Sequence, residues 1–91
     1  MPDSVTSGDA ATVGNIGSVV AVRGSVVDVR FALQLPPVYA LLHAGRDGRV
    51  VMEVLAQTGH DTVRAIALTP TQGLARGMRV TDSGGPTRPY R

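Results

Sequence analysis

The side chains in this sequence that could transfer protons or bind a metal are two histidines and seven carboxylates. His43 and His60 could each act as a general base or as a metal ligand. They lie far apart in the sequence, and His60 falls in a predicted turn, where exposure to solvent is the simpler explanation. The pattern therefore favours two surface histidines over a catalytic or metal-binding pair.

Three of the carboxylates could in principle supply the paired acids of general acid–base catalysis: Asp28, Glu53 and Asp61. Each falls on the polar face of a predicted strand or in a turn, which favours a solvated surface position. No serine or threonine has a histidine at a spacing that suggests a catalytic triad. The sequence therefore predicts no catalytic, cofactor-binding or metal-ligating residue.

All nine basic residues are arginine, and the chain contains neither lysine nor cysteine. Without lysine, these residues cannot supply a P-loop, a Schiff base or a biotin or lipoyl attachment site. Without cysteine, they cannot form a disulfide or a thiolate metal site. Residues 14–17 (GNIG) are not a dinucleotide-binding fingerprint, because they precede a predicted strand and no helix follows. Turns are the predicted explanation for these glycines.

The length of 91 residues allows one small domain with a modest core. No apolar run approaches the roughly 20 residues of a membrane-spanning helix, and the N-terminus lacks the pattern of a signal peptide. Residues 1–13 are polar and small, which predicts a disordered leader. Residues 83–91 have the composition of a linker, and we expect them to lead into the next domain of a longer protein.

The remaining residues, 14–82, alternate apolar and polar positions between frequent turn signals, which is typical of short β-strands. Strands are predicted at residues 16–22, 26–31, 50–56, 62–68 and 77–81. Residues 39–43 could form either a short strand or a single helical turn. The sequence therefore predicts an all-β domain, a small closed six-stranded antiparallel β-barrel with Greek-key-like topology.

Residues 50–68 give the strongest local signal, a hairpin whose turn contains Gly59, a residue that can adopt a positive φ. Both strands of this hairpin carry apolar residues on both faces. One face belongs to the core, predicted as Ile16, Val20, Val22, Val27, Val29, Phe31, Met52, Val54, Val63 and Ala65. The other face needs a cover from outside the domain. Its predicted contact residues are Val51, Leu55, Arg64 and Ile66.

A small barrel of this kind could instead bind single-stranded nucleic acid, as many Greek-key barrels do. Such sites stack bases on exposed aromatic side chains above a basic surface. The chain has three aromatic residues: Phe31 is predicted to point inward, Tyr39 follows two prolines, and Tyr90 lies in the tail. The aromatic platform is therefore missing, and nucleic-acid binding is kept only as the alternative.

From Gly14 onward the chain resembles the N-terminal β-barrel domain of the β subunit of F-type ATP synthase. Dispersed stretches carry the resemblance in the order that the family has them: residues 14–31 (GNIGSVVAVRGSVVDVRF), 35–39 (LPPVY), 51–56 (VMEVLA), 62–68 (TVRAIAL), 73–77 (GLARG) and 82–86 (DSGGP). Residues 35–39 and 62–68 resemble the β subunit more than they resemble the related barrels of the α subunit and of the flagellar and secretion ATPases. Residues 69–72 depart from the family, where an acidic loop is usual. A standard proton-coupled subunit and a divergent form, including a sodium-coupled one, therefore both stay open.

The resemblance implies a structural domain of a catalytic parent. In the family this barrel holds no nucleotide, and the residues that bind ATP or ADP and Mg²⁺ lie in a downstream domain. The barrels of alternating α and β subunits join in a ring, the crown, which holds the hexamer together. The resemblance thus implies neighbouring α subunits as partners, contacts with the remaining synthase subunits through the parent, and no nucleic acid.

The resemblance also implies a parent that couples proton translocation to ATP synthesis or hydrolysis. Its expected location is the cytoplasmic face of the bacterial inner membrane, as a peripheral complex. The domain itself is expected to be soluble and to have no catalytic activity of its own.

Overall fold

The computed structural model describes residues 15–82, which fold into six β-strands. The strands are β1 (Asn15–Arg23), β2 (Val26–Phe31), β3 (Leu41–Ala44), β4 (Val50–Gln57), β5 (Thr62–Ala67) and β6 (Arg79–Asp82). The helical structure in this range is one short 3-10 turn, Arg46–Gly48, and no helix within it is long enough to cross a membrane. The predicted leader, residues 1–13, and linker, residues 83–91, lie outside the described residues.

The six strands close into one antiparallel barrel in the order β1-β2-β5-β4-β3-β6, with β6 paired back to β1. Strands β3, β4 and β5 form a meander, and β6 returns to lie beside β3, which is the Greek-key arrangement. The predicted fold class is confirmed. The choice left open for residues 39–43 resolves as a strand, β3, because Leu42 and Ala44 point into the core at that spacing.

The core lies inside the barrel and is built from the inward-facing residues of every strand. Seven of the ten predicted core residues are fully or almost fully buried: Val27, Val29, Phe31, Met52, Val54, Val63 and Ala65. The structure adds Val19, Ala40, Leu42, Ala44, Val50 and Val80 to this set. Alternation along β2, along β4 as far as Val54, and along β5 as far as Ala65 explains why the sequence pattern found most of the core.

The prediction for β1 is wrong at Ile16 and Val20, which are 39% and 37% exposed, and correct only in part at Val22, which packs half-buried against the core. A β-bulge lies between Val19 and Ala21 in the pairing with β2. Because a bulge inserts one unpaired residue, it exchanges the inward and outward positions on its two sides. Val19 therefore points into the core, whereas Ile16 and Val20 point outward.

The barrel has two distinct ends. At the exit end, the first residue of β1, Asn15, pairs with the last residue of β6, Asp82. At the opposite end, called here the turn end, the β1–β2 turn, the β3–β4 turn and the 68–78 loop meet. Thr71 Oγ1 donates to the carbonyl oxygen of Gly24 (3.2 Å), and Thr69 Oγ1 donates to that of Arg49 (3.3 Å). These hydrogen bonds fix the three connections relative to one another.

Two glycine predictions need correction. Gly17 lies within β1 and not in a turn, so the turn explanation for that glycine is wrong. Gly59 does not have the positive φ expected of it, because residues 58–61 form a longer connection that leaves its backbone in an ordinary conformation. The positive φ expected at Gly24 in the β1–β2 turn is present, at 60°.

Candidate contact face

The titratable residues singled out in the sequence lie on separate surfaces of the barrel. His43 is on β3, half-buried, whereas the side chain of His60 is 94% exposed in the β4–β5 connection. Its nearest charged partner is Asp61, with Nε2 and Oδ2 3.8 Å apart. Within residues 15–82 no group of three or more histidines and carboxylates is arranged to hold a metal ion.

Asp28, one of the carboxylates considered for an acid pair, joins two arginines across three strands. Its Oδ2 accepts a hydrogen bond from Nη2 of Arg23 on β1 at 3.2 Å. Its Oδ1 accepts one from Nε of Arg64 on β5 at 3.0 Å. The hydrogen bond and the charge of Asp28 raise the pKa of the Arg64 guanidinium above its ordinary value. The carboxylate therefore orders basic side chains on the outer surface.

Asp61 is held in a similar way at the start of β5. Thr62 Oγ1 donates to its Oδ1 at 3.0 Å, and Arg30 Nε donates to its Oδ2 at 3.1 Å. The Thr62 hydrogen bond, with smaller contributions from His60 and Arg30, lowers the pKa of the Asp61 carboxyl below its ordinary value. A carboxylate held ionised in this way is a poor general acid.

The four predicted contact residues all lie on the outer surface of the β4–β5 hairpin. Met52 and Val54 point inward, which turns Val51 outward, and Val63 and Ala65 likewise turn Arg64 and Ile66 outward. Leu55 occupies a β-bulge between Val54 and Ala56 and is 45% exposed. Arg64 pairs with Ala56, next to this bulge.

The pairing of strands outside the hairpin extends this apolar surface. Leu41 on β3 pairs with Glu53, Glu53 pairs with Ile66, and Ile66 pairs with Val26 on β2. Each of these apolar side chains is half-buried on the outside of the barrel. We call this surface the contact face: Val26, Leu41, Val51, Leu55, Arg64 and Ile66. Sequence reasoning missed Val26 and Leu41, because only the strand order brings them beside the hairpin.

The two aromatic residues within residues 15–82 do not form a stacking platform. Phe31 is 1% exposed and fills the core, whereas Tyr39 is 61% exposed in the loop before β3. Tyr90 lies outside the described residues. Phe31 therefore cannot stack on a base, and the geometry offers no support for the nucleic-acid alternative.

Comparison with known proteins identifies the barrel. The family model described as "ATP synthase alpha/beta family, beta-barrel domain" matches residues 19–84. The chain is 64% identical over 74 residues to ATP synthase subunit beta 2 of Polaromonas naphthalenivorans (strain CJ2), a match that covers 81% of this chain and 15% of the relative.

Further relatives have the same kind of name. The chain is 58% identical over 81 residues to ATP synthase subunit beta 2 of Albidiferax ferrireducens (strain ATCC BAA-621 / DSM 15236 / T118), covering 89% of this chain and 15% of the relative. It is 64% identical over 72 residues to ATP synthase subunit beta 1 of Psychromonas ingrahamii (strain DSM 17664 / CCUG 51855 / 37), a match that covers 79% of this chain and 15% of the relative. The chain thus spans about 15% of the length of the curated relatives that it matches.

Proposed function

The chain belongs to the ATP synthase alpha/beta family, whose β-barrel domain it contains, and from this premise we propose that it serves as the crown domain of a β subunit. In this role its barrel joins the barrels of neighbouring α subunits into the ring that holds an alternating hexamer together. The proposal assigns the ring contact to the contact face, which includes Val51, Leu55, Arg64 and Ile66.

The observation that carries the proposal is the outward position of Val26, Leu41, Val51 and Ile66. These side chains lie on neighbouring strands of a closed sheet whose interior is already filled by other residues. An apolar outer surface in a small domain is typical of a protein–protein contact. Arg64, held by Asp28, and the exposed Leu55 at the bulge border this surface. Glu53 lies within this surface, between Leu41 and Ile66, so the contact face combines apolar side chains with charged ones.

The rest of the proposed activity belongs to the parent protein. The relatives are β subunits of ATP synthase and are much longer than this chain. We place nucleotide and Mg²⁺ binding, and the synthesis or hydrolysis of ATP coupled to proton translocation, in the part of such a parent that follows the barrel. The proposed setting is a peripheral complex at the cytoplasmic face of the bacterial inner membrane, which contacts the remaining synthase subunits through the parent.

Deletion of the barrel tests the crown role. The Polaromonas naphthalenivorans relative is produced with its α subunit, with and without the stretch that corresponds to residues 15–82. The proposal predicts that only the complete protein forms a hexamer, measured by analytical ultracentrifugation, while the shortened protein still binds ATP. A normal hexamer from the shortened protein would show that the barrel does not hold the ring together.

A further inference from the structure

The turn end of the barrel carries two arginines that have no acidic partner among the residues that the structure describes. Arg23, Arg30 and Arg64 form ion pairs with Asp28 or Asp61. Within residues 15–82, no carboxylate forms an ion pair with Arg46 or Arg49, which both lie in the β3–β4 turn. The single acid in this turn is Asp47. This end of the molecule therefore has an excess of positive charge.

Arg46 and Arg49 line one cavity of about 380 Å³ between the β3–β4 turn and the 68–78 loop. Arg46 and Arg49 lie on its turn side, with Gln72 on its loop side. Val50 and Met78 add apolar surface. A guanidinium presents several N–H donors in a fixed plane and binds carboxylates through two parallel hydrogen bonds. The cavity thus combines charged donors, an amide and apolar contacts.

The two arginines are held near each other by the backbone. Gly48 N donates to Gly45 O and Arg49 N donates to Arg46 O, both at 3.1 Å, and Asp47 takes a left-handed conformation at φ 58°. The Thr69 hydroxyl, in the 68–78 loop, donates to the carbonyl oxygen of Arg49, in the β3–β4 turn, and so joins these two segments. Two like charges on one short turn repel each other unless an anion lies between them. An anion bound in the cavity would therefore offset the repulsion between Arg46 and Arg49.

We propose that Arg46 and Arg49, with Gln72, form a docking site for the carboxylates of an acidic segment of another protein chain. The apolar surface of Val50 and Met78 suits an amino-acid segment better than a bare inorganic anion. Asn15 and Asp82, the first and last described residues, pair at the exit end, away from this site. The proposal goes beyond the crown role and does not depend on the contact face.

The test is a titration of the isotopically labelled 91-residue chain at low salt, followed by NMR, with a hexaglutamate peptide as the probe. The site predicts shifts confined to the backbone amides of residues 45–50 and 71–73 and to the side chains of Arg46 and Arg49. The double variant R46Q/R49Q should bind the peptide about tenfold or more weakly, because it removes two charge-assisted contacts.

The matched control is R30Q/R79Q, which removes the same number of positive charges from other parts of the surface. It should change the affinity by no more than about twofold through general screening effects. Equal weakening in both double variants, or no shift at residues 45–50, would overturn the site. Separate titrations with inorganic phosphate and with a single-stranded oligothymidylate test the ligand class. Tighter binding of either probe at the same residues would overturn the assignment to an acidic protein segment. Failure of this site would leave the hexamer result of the barrel deletion unaffected.

Discussion

Gly17 on β1 lies directly opposite Phe31 on β2, and the two strands approach so closely that no side chain fits at residue 17. A Cβ atom there would lie 2.5 Å from the Arg30 carbonyl oxygen and 2.8 Å from Cδ2 of Phe31. Phe31 is 1% exposed and is among the largest fully buried side chains of the described residues. The closure of the barrel near its exit end therefore depends on this glycine.

Substitution of Gly17 by alanine should destabilise the barrel by about 2 kcal/mol, because the added methyl group must displace either backbone or the Phe31 ring. Urea denaturation, followed by circular dichroism, measures the change. Gly59→Ala is the matched control, since no atom lies within 4 Å of a Cβ at that position and its φ is not positive. The control should change stability by less than about 0.5 kcal/mol. Equal effects of the two substitutions would contradict the close approach of β1 and β2.

Tyr39 adopts a positive φ of 78° although it is not glycine, and its side chain is 61% exposed. A large residue in this conformation is strained by about 1–3 kcal/mol. Tyr39→Gly should relieve that strain and, after the greater flexibility of glycine in the unfolded chain is subtracted, stabilise the domain by about 1 kcal/mol. Tyr39→Ala keeps the Cβ and should give no such gain. Thermal unfolding of both variants tests this difference. If Tyr39→Ala were more stable than Tyr39→Gly, the strain at residue 39 would be contradicted.

Thr62→Val should raise the pKa of Asp61 towards its ordinary value of 3.8, because it removes the largest cause of the lowered pKa. With a folded-state pKa below the unfolded one, Asp61 stabilises the fold above about pH 4 and loses that contribution as the pH falls through the folded-state pKa. The valine variant should therefore lose less stability on acidification. NMR titration of the Asp61 carboxyl measures the shift.

Thr81→Val on β6 is the control for this titration, since Thr81 is not one of the groups that shift the pKa of Asp61. It should leave that pKa where it is in the unaltered chain. A Thr62→Val titration that coincides with the unaltered one would show that the Thr62 hydroxyl does not stabilise the ionised Asp61.

The sequence predicted the fold class and most of the core because period-two alternation is strict where a strand has no irregularity. Val27, Val29, Met52, Val54 and Val63 follow that rule. The prediction of the inward face of β1 was wrong because the bulge after Val19 interrupts the alternation. A run of small and apolar residues contains no signal that marks the position of a bulge.

The candidate surfaces were predictable only where they depend on neighbouring residues in the chain. The outward positions of Val51 and Ile66 follow from alternation within one hairpin. The addition of Leu41 and Val26 depends on the pairing of β3 with β4 and of β2 with β5, and the latter joins strands far apart in sequence. The cavity beside Arg46 and Arg49 likewise depends on a distant loop. Long-range pairing is a property of the folded chain and leaves no local pattern.

The measurement that tests the central proposal most directly is the native mass spectrum of a chimera. The Polaromonas naphthalenivorans relative receives residues 19–82 of this chain in place of its own and is purified with its α subunit. The crown role predicts that the chimera and the unaltered relative assemble into the same alternating hexamer. It also predicts that the double variant V51T/I66T, which keeps β-branched side chains but removes apolar contact, weakens the hexamer by about tenfold or more. The control L33T changes an 89% exposed side chain outside the contact face and should assemble normally. A folded chimera that stays monomeric, or a V51T/I66T hexamer as stable as that of the control, would contradict the account.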